Sequence, residues 1–388
     1  MRNRRLPKVL LSVGHGAVDL YQGLIPVLIP FLVLERGYDY SAVSGFVLAA
    51  TALSALTQPL FGLAADRWSL SWLVPVGMAA TGLGAGLVGV VDSYTATLLV
   101  VALSGVGVAA YHPEAARLAR TVGDGGPVAM SWFSLGGNLG FAVAPLLAVP
   151  VLAWRGLDGT PYLVLPAIIG IAATLPLLRR GSRPRGQAPP RTADDWPSFL
   201  RLTAVTVLRS IVYIGLSTFV GLFVAQRPGG SATVAIACLF AGGAVGTLLG
   251  GRVARRWGRV RAVRMAYAAA SLAVPGVVLM PGQAVYGLVF LAAVALYVPF
   301  SLHITLGQDY LPSRAATASG VTLGLAVSAG GVFAMGVAAV AESTSLRVAL
   351  ACLAVAPAAA WLLSRTLSEP TPEVAESTTT GKELQHHG

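Results

Sequence analysis

Twelve apolar stretches, each long enough to cross a bilayer, follow one another along this chain with mostly short polar turns between them. A helix needs about 20 predominantly apolar residues to span about 30 Å of hydrocarbon. A window of that size places the candidates at 8–34, 41–65, 70–91, 94–116, 127–152, 160–178, 199–225, 231–251, 261–281, 284–307, 315–341 and 346–366. The first run follows Met1-Arg2-Asn3-Arg4-Arg5. It is too long for a signal peptide and ends at no small-residue cleavage site, so it reads as a retained first helix. The expected fold is an all-α membrane protein.

The charge supply agrees. Only 11% of the 388 residues are charged and 55% are apolar, whereas soluble domains carry roughly 25% charged residues. That deficit excludes a soluble enzyme, a disordered chain and a nucleic-acid-binding protein. The two cysteines, Cys238 and Cys352, lie inside apolar runs without CxxC spacing, so neither a disulfide framework nor a zinc–thiolate site is expected. No Walker A, HExxH or GxSxG signature occurs; the chain reads as a non-enzyme without cofactor or metal, driven by an ion gradient and not by ATP.

The net charge of +11 is a matter of position. With the N-terminus inside, the cytoplasmic segments hold Arg2, Arg4, Arg5, Lys8, Arg67, Arg117, Arg120, the 179–201 stretch, the 252–264 cluster and Arg314. The other side holds only Arg36, Arg155, Arg227 and Arg347. The positive-inside rule then places both termini in the cytoplasm, as an even number of spans requires. The Arg-, Pro- and Gly-rich run at 179–197 reads as a linker on the anionic inner leaflet. It separates six spans in 1–178 from six in 198–368, and 369–388 reads as a disordered tail.

A repeat crosses that linker. Gly62-Leu-Ala-Ala-Asp66-Arg67-Trp68 follows the second span, and Gly251-Arg252-Val-Ala-Arg255-Arg256-Trp257 follows the eighth, 189 positions later. Ser131 through Gly136 and Ser319 through Gly324 form a second match, offset by 188.

Six-plus-six spans, a basic central loop and this repeat resemble the major facilitator superfamily. The N-terminal half is closer still to its fosmidomycin-resistance family of drug exporters. His15-Gly-Ala-Val-Asp19-Leu-Tyr21-Gln22-Gly23, Gln58-Pro59-Leu-Phe-Gly62-Leu-Ala-Ala-Asp66-Arg67, Tyr111-His112-Pro113-Glu114 and Gly136-Gly137-Asn138-Leu-Gly140 carry that likeness, joined by Gly307-Gln308-Asp309-Tyr310-Leu311-Pro312 in the second half. The resemblance implies two pseudo-symmetric six-helix bundles that alternate access to a midplane site. It also implies a gating role for the interhelical motif, here Gly62, Asp66 and Arg67, repeated at Arg255 and Arg256. The plain alternative is a charged turn that keeps a tight loop at the inner surface.

Charges within the spans stand out because each costs about 2.5–3.5 kcal/mol or more at the bilayer centre. Asp19 lies about eleven residues into its span, some 16 Å deep at about 1.5 Å per residue, and Arg209 lies at similar depth in the seventh. Asp19 is a candidate proton-coupling acid. Arg209 is a candidate anion-binding fork, since guanidinium pairs bidentately with phosphonate or carboxylate. A purely structural ion pair between the two is the competing account. His15, one turn before Asp19, is a candidate relay, and Gln22 continues the polar stripe. His112 and Glu114 are expected at the inner mouth of a fourth helix kinked by Pro113, where a proton could exchange with the cytosol; the alternative pairs Glu114 with Arg117. Asn138 is expected in the cavity, with Trp132, Tyr213 and His303 as weaker substrate-binding candidates. The expected partners are a small solute, protons and membrane lipid, but no nucleic acid, in a monomer of the bacterial inner membrane. Export by proton antiport is the favoured direction; proton-coupled import and a non-transporting sensor are the rivals.

Overall fold

A computed structural model describes residues 6–38, 40–68, 70–122, 126–181 and 193–370. Among these residues all regular structure is helical and falls into twelve runs. They are α1 (Leu6–Arg36), α2 (Tyr40–Trp68), α3 (Leu73–Gly86), α4 (Tyr94–Val122), α5 (Pro127–Arg155) and α6 (Leu165–Gly181). Then come α7 (Trp196–Ala225), α8 (Ala232–Trp257), α9 (Arg259–Leu279) and α10 (Ala284–Tyr297, resumed as Phe300–Tyr310). In α11 a π turn (Val321–Leu325) separates Ala315–Gly320 from Ala326–Ser343, and α12 joins Leu346–Leu353 to Val355–Ser364. Residues 182–192 of the expected linker, 371–388 of the expected tail, and Arg2, Arg4 and Arg5 lie outside the described residues.

Local chemistry sets the ends. Asp195, Ser231 and Ser345 cap α7, α8 and α12 by accepting hydrogen bonds from the main-chain N–H groups of Ser198, Val234 and Val348. Gly156, at φ +59°, ends α5, and the Glu35 carboxylate accepts the Leu157 N–H at 2.9 Å. The chain then runs through a 3₁₀ segment, Gly156–Val164. The expected sixth span, 160–178, therefore becomes α-helical only at Leu165. The expected third span, 70–91, is shorter as a regular helix, because the chain turns from Leu87 onward.

The two sets of six helices pack by the same scheme. In the first, α1 lies against α5, α2 against α4, and α3 against α6; in the second, α7 lies against α11, α8 against α10, and α9 against α12. Contacts between the sets run mainly through α2 with α11, α5 with α8, α4 with the first part of α11, and α5 with the last part of α10. The hydrogen bonds that join the sets gather at the end carrying the first residue of α1 and the last residue of α12. A cavity lies between the sets toward the middle.

Lipid tails are as apolar as leucine, so helices here associate by close packing instead of a hydrophobic drive. The α1–α5 contact uses that route. A Cβ on Gly140 would overlap the Gly16 carbonyl, and one on Gly136 would overlap that of Ser12. Gly23 approaches the Phe141 carbonyl in the same way. Backbone meets backbone along the helix that carries His15 and Asp19, which fixes their depth. We expect Gly140→Val to destabilise the fold by about 1–3 kcal/mol or more, as overpacking does. By contrast, Gly287→Ala, whose added Cβ would meet nothing within 4 Å, should leave the midpoint unchanged or raise it slightly. Thermal melting of both variants in detergent checks the pair.

Candidate functional site

The cavity measures 380 Å³ and is lined from both sets of helices. The first set contributes His15, Asp19 and Gln22 from α1, His112 from α4, and Gly137 and Asn138 from α5. The second contributes Arg209, Ser210 and Tyr213 from α7, Gly243 from α8, and Tyr297 and Phe300 from α10.

Asp19 does not pair with Arg209. Its carboxylate lies 3.2 Å from His15 Nε2 and 3.0 Å from His112 Nε2, and it accepts a hydrogen bond from Gln22 Nε2 at 2.9 Å. The two imidazoles also face each other, Nε2 to Nε2, at 3.2 Å. Each ring is anchored behind: Nδ1 of His15 donates to the Phe133 carbonyl and Nδ1 of His112 to the Val108 carbonyl, both at 2.8 Å. His15 also stacks on Phe133 with centroids 4.0 Å apart. Both histidines are buried, and Asp19 keeps 17% of its side chain open to the cavity.

The expectation that His112 sits at the inner mouth is therefore corrected. Helix α4 runs on to Val122, past the expected end at 116, which leaves His112 well inside. The cause is charge compensation. Glu114 is buried, and its carboxylate accepts from Arg117 Nε at 2.8 Å. Arg120 donates to Asp309 of α10. Paired in this way, those charges do not end the helix, and Glu114 takes its place beside Arg117.

Arg209 faces the cluster from the other set of helices. Its guanidinium lies 4.9 Å from the centroid of Phe300 and 5.8 Å from that of Tyr297. It is 3% exposed, and its Nε has no hydrogen-bond partner. Tyr213 packs edge-on against Tyr297, with centroids 4.7 Å apart. Asn138 lines the cavity and donates to Thr247 Oγ1 of α8 at 3.0 Å, which ties the two sets together at its floor. Two of the expected substrate contacts do not line the cavity. Trp132 projects outward at 40% exposure, and His303 is buried against Tyr267, with Nε2 3.2 Å from the tyrosine hydroxyl.

Below the cavity the halves are locked. Asp66 accepts from the main-chain N–H groups of Ala316 and Thr317 at 2.8 Å and from Thr317 Oγ1 at 2.7 Å. It thus caps the first turn of α11 from the opposite half, where a carboxylate satisfies orphan donors and the helix dipole together. Gly62 makes room, since a Cβ there would press on the backbone of Ala316 and Thr317. Around it, Arg120 and Arg259 both donate to Asp309, Ser131 and Ser301 hydroxyls meet at 2.9 Å, and Gln308 donates to the Ala116 carbonyl at 3.3 Å. Arg67, Arg255 and Arg256 take no part in these bonds. Arg67 and Arg256 lie over the rings of Trp68 and Trp257, and Arg255 is exposed.

Sequence reasoning gave Tyr297, Phe300 and Thr247 no role, read Arg120 and Arg259 only as cytoplasmic charge, and noted Asp309 only within a motif. Asp309 was within reach as an acidic residue near the end of an apolar span. The aromatic cage and Thr247 carry no signal of their own. Removing the trans cap with Asp66→Ala should loosen the lock by about 1.4 kcal/mol, inside the range for N-cap losses, and so raise the fraction of molecules with this end open about tenfold. Spin labels at Trp68 and Arg314, followed by electron–electron distance measurement, check that shift.

A model of the Major Facilitator Superfamily matches residues 11–335. The fosmidomycin resistance protein of Escherichia coli (strain K12) is 27% identical over 355 residues, 87% of each chain. Among solved structures, the E. coli fucose:proton symporter FucP, in its outward conformation, superposes with a TM-score of 0.75 at 14% identity, over 95% of this chain and 99% of that one. The human organic anion transporter MFSD10 does so with a TM-score of 0.73 at 18% identity, over 94% and 100%. The matched family, spanning most of the chain, agrees with the paired six-helix packing: this chain is a multi-pass membrane protein belonging to the Major Facilitator Superfamily.

Proposed function

We propose that the chain exports a small anionic solute, of the phosphonate or carboxylate class that includes fosmidomycin, by alternating access in exchange for protons. The observation that carries this reading is Arg209: a buried guanidinium in the central cavity with Nε unpartnered. A buried cation is stable only when compensated. The two aromatic faces supply part of that, and an anionic cargo supplies the rest through the planar fork. The 27% identity to a fosmidomycin resistance protein supports the substrate class and the direction.

The coupling scheme differs from an Asp19–Arg209 switch, because Asp19 is already held by His15 and His112. In this reading the His15–Asp19–His112 cluster takes the proton in one half while Arg209 takes the anion in the other. Both occupants face one cavity, so each changes the field felt by the other. The lock at Asp66 and Asp309 closes the end that carries the start of α1 and the end of α12, which we assign to the cytoplasm on the arginine distribution. The cavity then faces the periplasm, and breaking the lock turns it inward. The protein works as a monomer in the bacterial inner membrane, with lipid as its solvent, and needs no cofactor.

In everted vesicles, an imposed pH gradient should drive uphill accumulation of fosmidomycin by the wild type. Asp19→Asn should abolish the pH-driven component. Arg209→Gln should lose transport, and Arg209→Lys should raise KM about tenfold or more, since a lysine keeps the charge and loses the fork. If Asp19→Asn still sustains uphill, pH-dependent accumulation, the coupling assignment is wrong. If the opposite gradient drives accumulation, the protein is an importer.

A further inference from the structure

The three side chains around Asp19 are arranged for more than one kind of cation. We propose that His15, Asp19 and His112 form a binding site for a divalent transition-metal cation of the zinc class. This proposal goes beyond the transport reading and stands whether or not the cavity moves an anion.

Three observations carry it. The first is spacing. The imidazole nitrogens lie 3.2 Å apart, His15 Nε2 lies 3.2 Å from Asp19 Oδ2, and His112 Nε2 lies 3.0 Å from Asp19 Oδ1. Ligands bound at about 2.0–2.1 Å with angles of about 90–110° lie about 2.9–3.4 Å apart, so each contact matches a shared ion, and one donor atom from each residue lies within 4.8 Å of the other two. The second is orientation. Both Nδ1–H groups are committed to main-chain carbonyls, which turns each Nε2 lone pair toward the shared space. Gln22 steadies the carboxylate from outside. This is the outer-shell pattern that orients metal-binding histidines. Two lone-pair nitrogens 3.2 Å apart beside a carboxylate repel one another unless a cation lies among them. A proton on one ring relieves part of that repulsion; a divalent ion held by both nitrogens and the carboxylate relieves all of it.

The third is room. Gly137 of α5 faces the cluster, and a Cβ there would strike the Asp19 carboxylate and lie 2.7 and 2.9 Å from His15 Cε1 and Nε2. Glycine keeps that volume open. The rings are buried while Asp19 opens to the cavity, which gives the ion a route in and leaves a further coordination position for water or solute. Two imidazoles with one carboxylate select zinc, cobalt or nickel over calcium and magnesium, which favour oxygen donors throughout.

The test uses the full-length chain in detergent, purified through a handle without histidine. His386→Ala and His387→Ala are introduced so that the tail pair cannot bind metal. Co²⁺ is titrated by visible absorption and then displaced with Zn²⁺. We expect one equivalent to bind, with tetrahedral or five-coordinate cobalt bands. His112→Gln and Asp19→Asn should weaken binding by at least about tenfold, the lower end of the loss seen when even an outer-shell partner is removed. Gly137→Ala, which keeps every ligand and fills the space, should weaken it as well. Size-exclusion profiles establish that each variant is folded, and Gly137→Ala and Asp19→Asn serve if His112→Gln is not. Absence of stoichiometric binding, or binding that the folded variants leave unchanged, would overturn the proposal.

Discussion

A charge in hydrocarbon must be cancelled, and much of this molecule's polar architecture is an answer to that requirement. An uncompensated ion at mid-membrane costs several kcal/mol, comparable with a sizeable part of a domain's net stability. Glu114 is cancelled by Arg117 one turn away, and Asp309 by Arg120 and Arg259 from two different helices. Asp19 is met by two imidazoles and an amide. Arg209 has only aromatic faces, with its Nε left over. The polar groups that the fold completes hold the structure together. Among the described residues, the buried guanidinium that it leaves incomplete, that of Arg209, faces the cavity.

The repeat explains how the lock came to be lopsided. At the offset of 189, Gly62 corresponds to Gly251, and both glycines approach the start of a helix in the other half: Gly62 near Ala316 and Thr317, Gly251 near Pro127, Val128 and Ser131. The same offset pairs Asp66 with Arg255. A carboxylate can accept from the free N–H groups at a helix start, whereas a guanidinium there meets the positive end of the dipole. Asp66 therefore caps α11, and Arg255 stays in solvent. On its own side the second half closes with hydroxyls, at Ser131 and Ser301, and with the Asn138–Thr247 bond. One strong clamp and one weak one suit a gate that opens on one side at a time.

The twelve spans were legible because each is a long apolar run, and depth along a helix follows from counting. Asp19 and Arg209 could be found that way, since charge within such a run is conspicuous. His112 could not be placed by the same count. Arg117 and Arg120 looked like the end of a span, and only their partners, Glu114 nearby and Asp309 far along the chain, let α4 continue past them. Of the two histidines that hold Asp19, His15 was legible from its helical spacing, whereas His112 was out of reach because that contact joins α1 to α4. Arg255 and Arg256 were singled out by symmetry with Asp66 and Arg67. Symmetry of backbone carried through, and symmetry of charge did not. Trp132 and His303 drew notice as polar-edged residues in spans, yet the rotation of a helix about its axis decides which face meets the cavity, and their sequence positions alone do not fix it.

The central claim is that the cavity recognises an anion through the unpartnered edge of Arg209. A structure determined with fosmidomycin bound tests it most directly. The account predicts phosphonate oxygens in hydrogen-bond range of Arg209 Nε, with the His15–Asp19–His112 cluster still closed on the opposite wall. A phosphonate seated away from Arg209, or an Arg209 Nε bonded to a protein carboxylate in that complex, would contradict it.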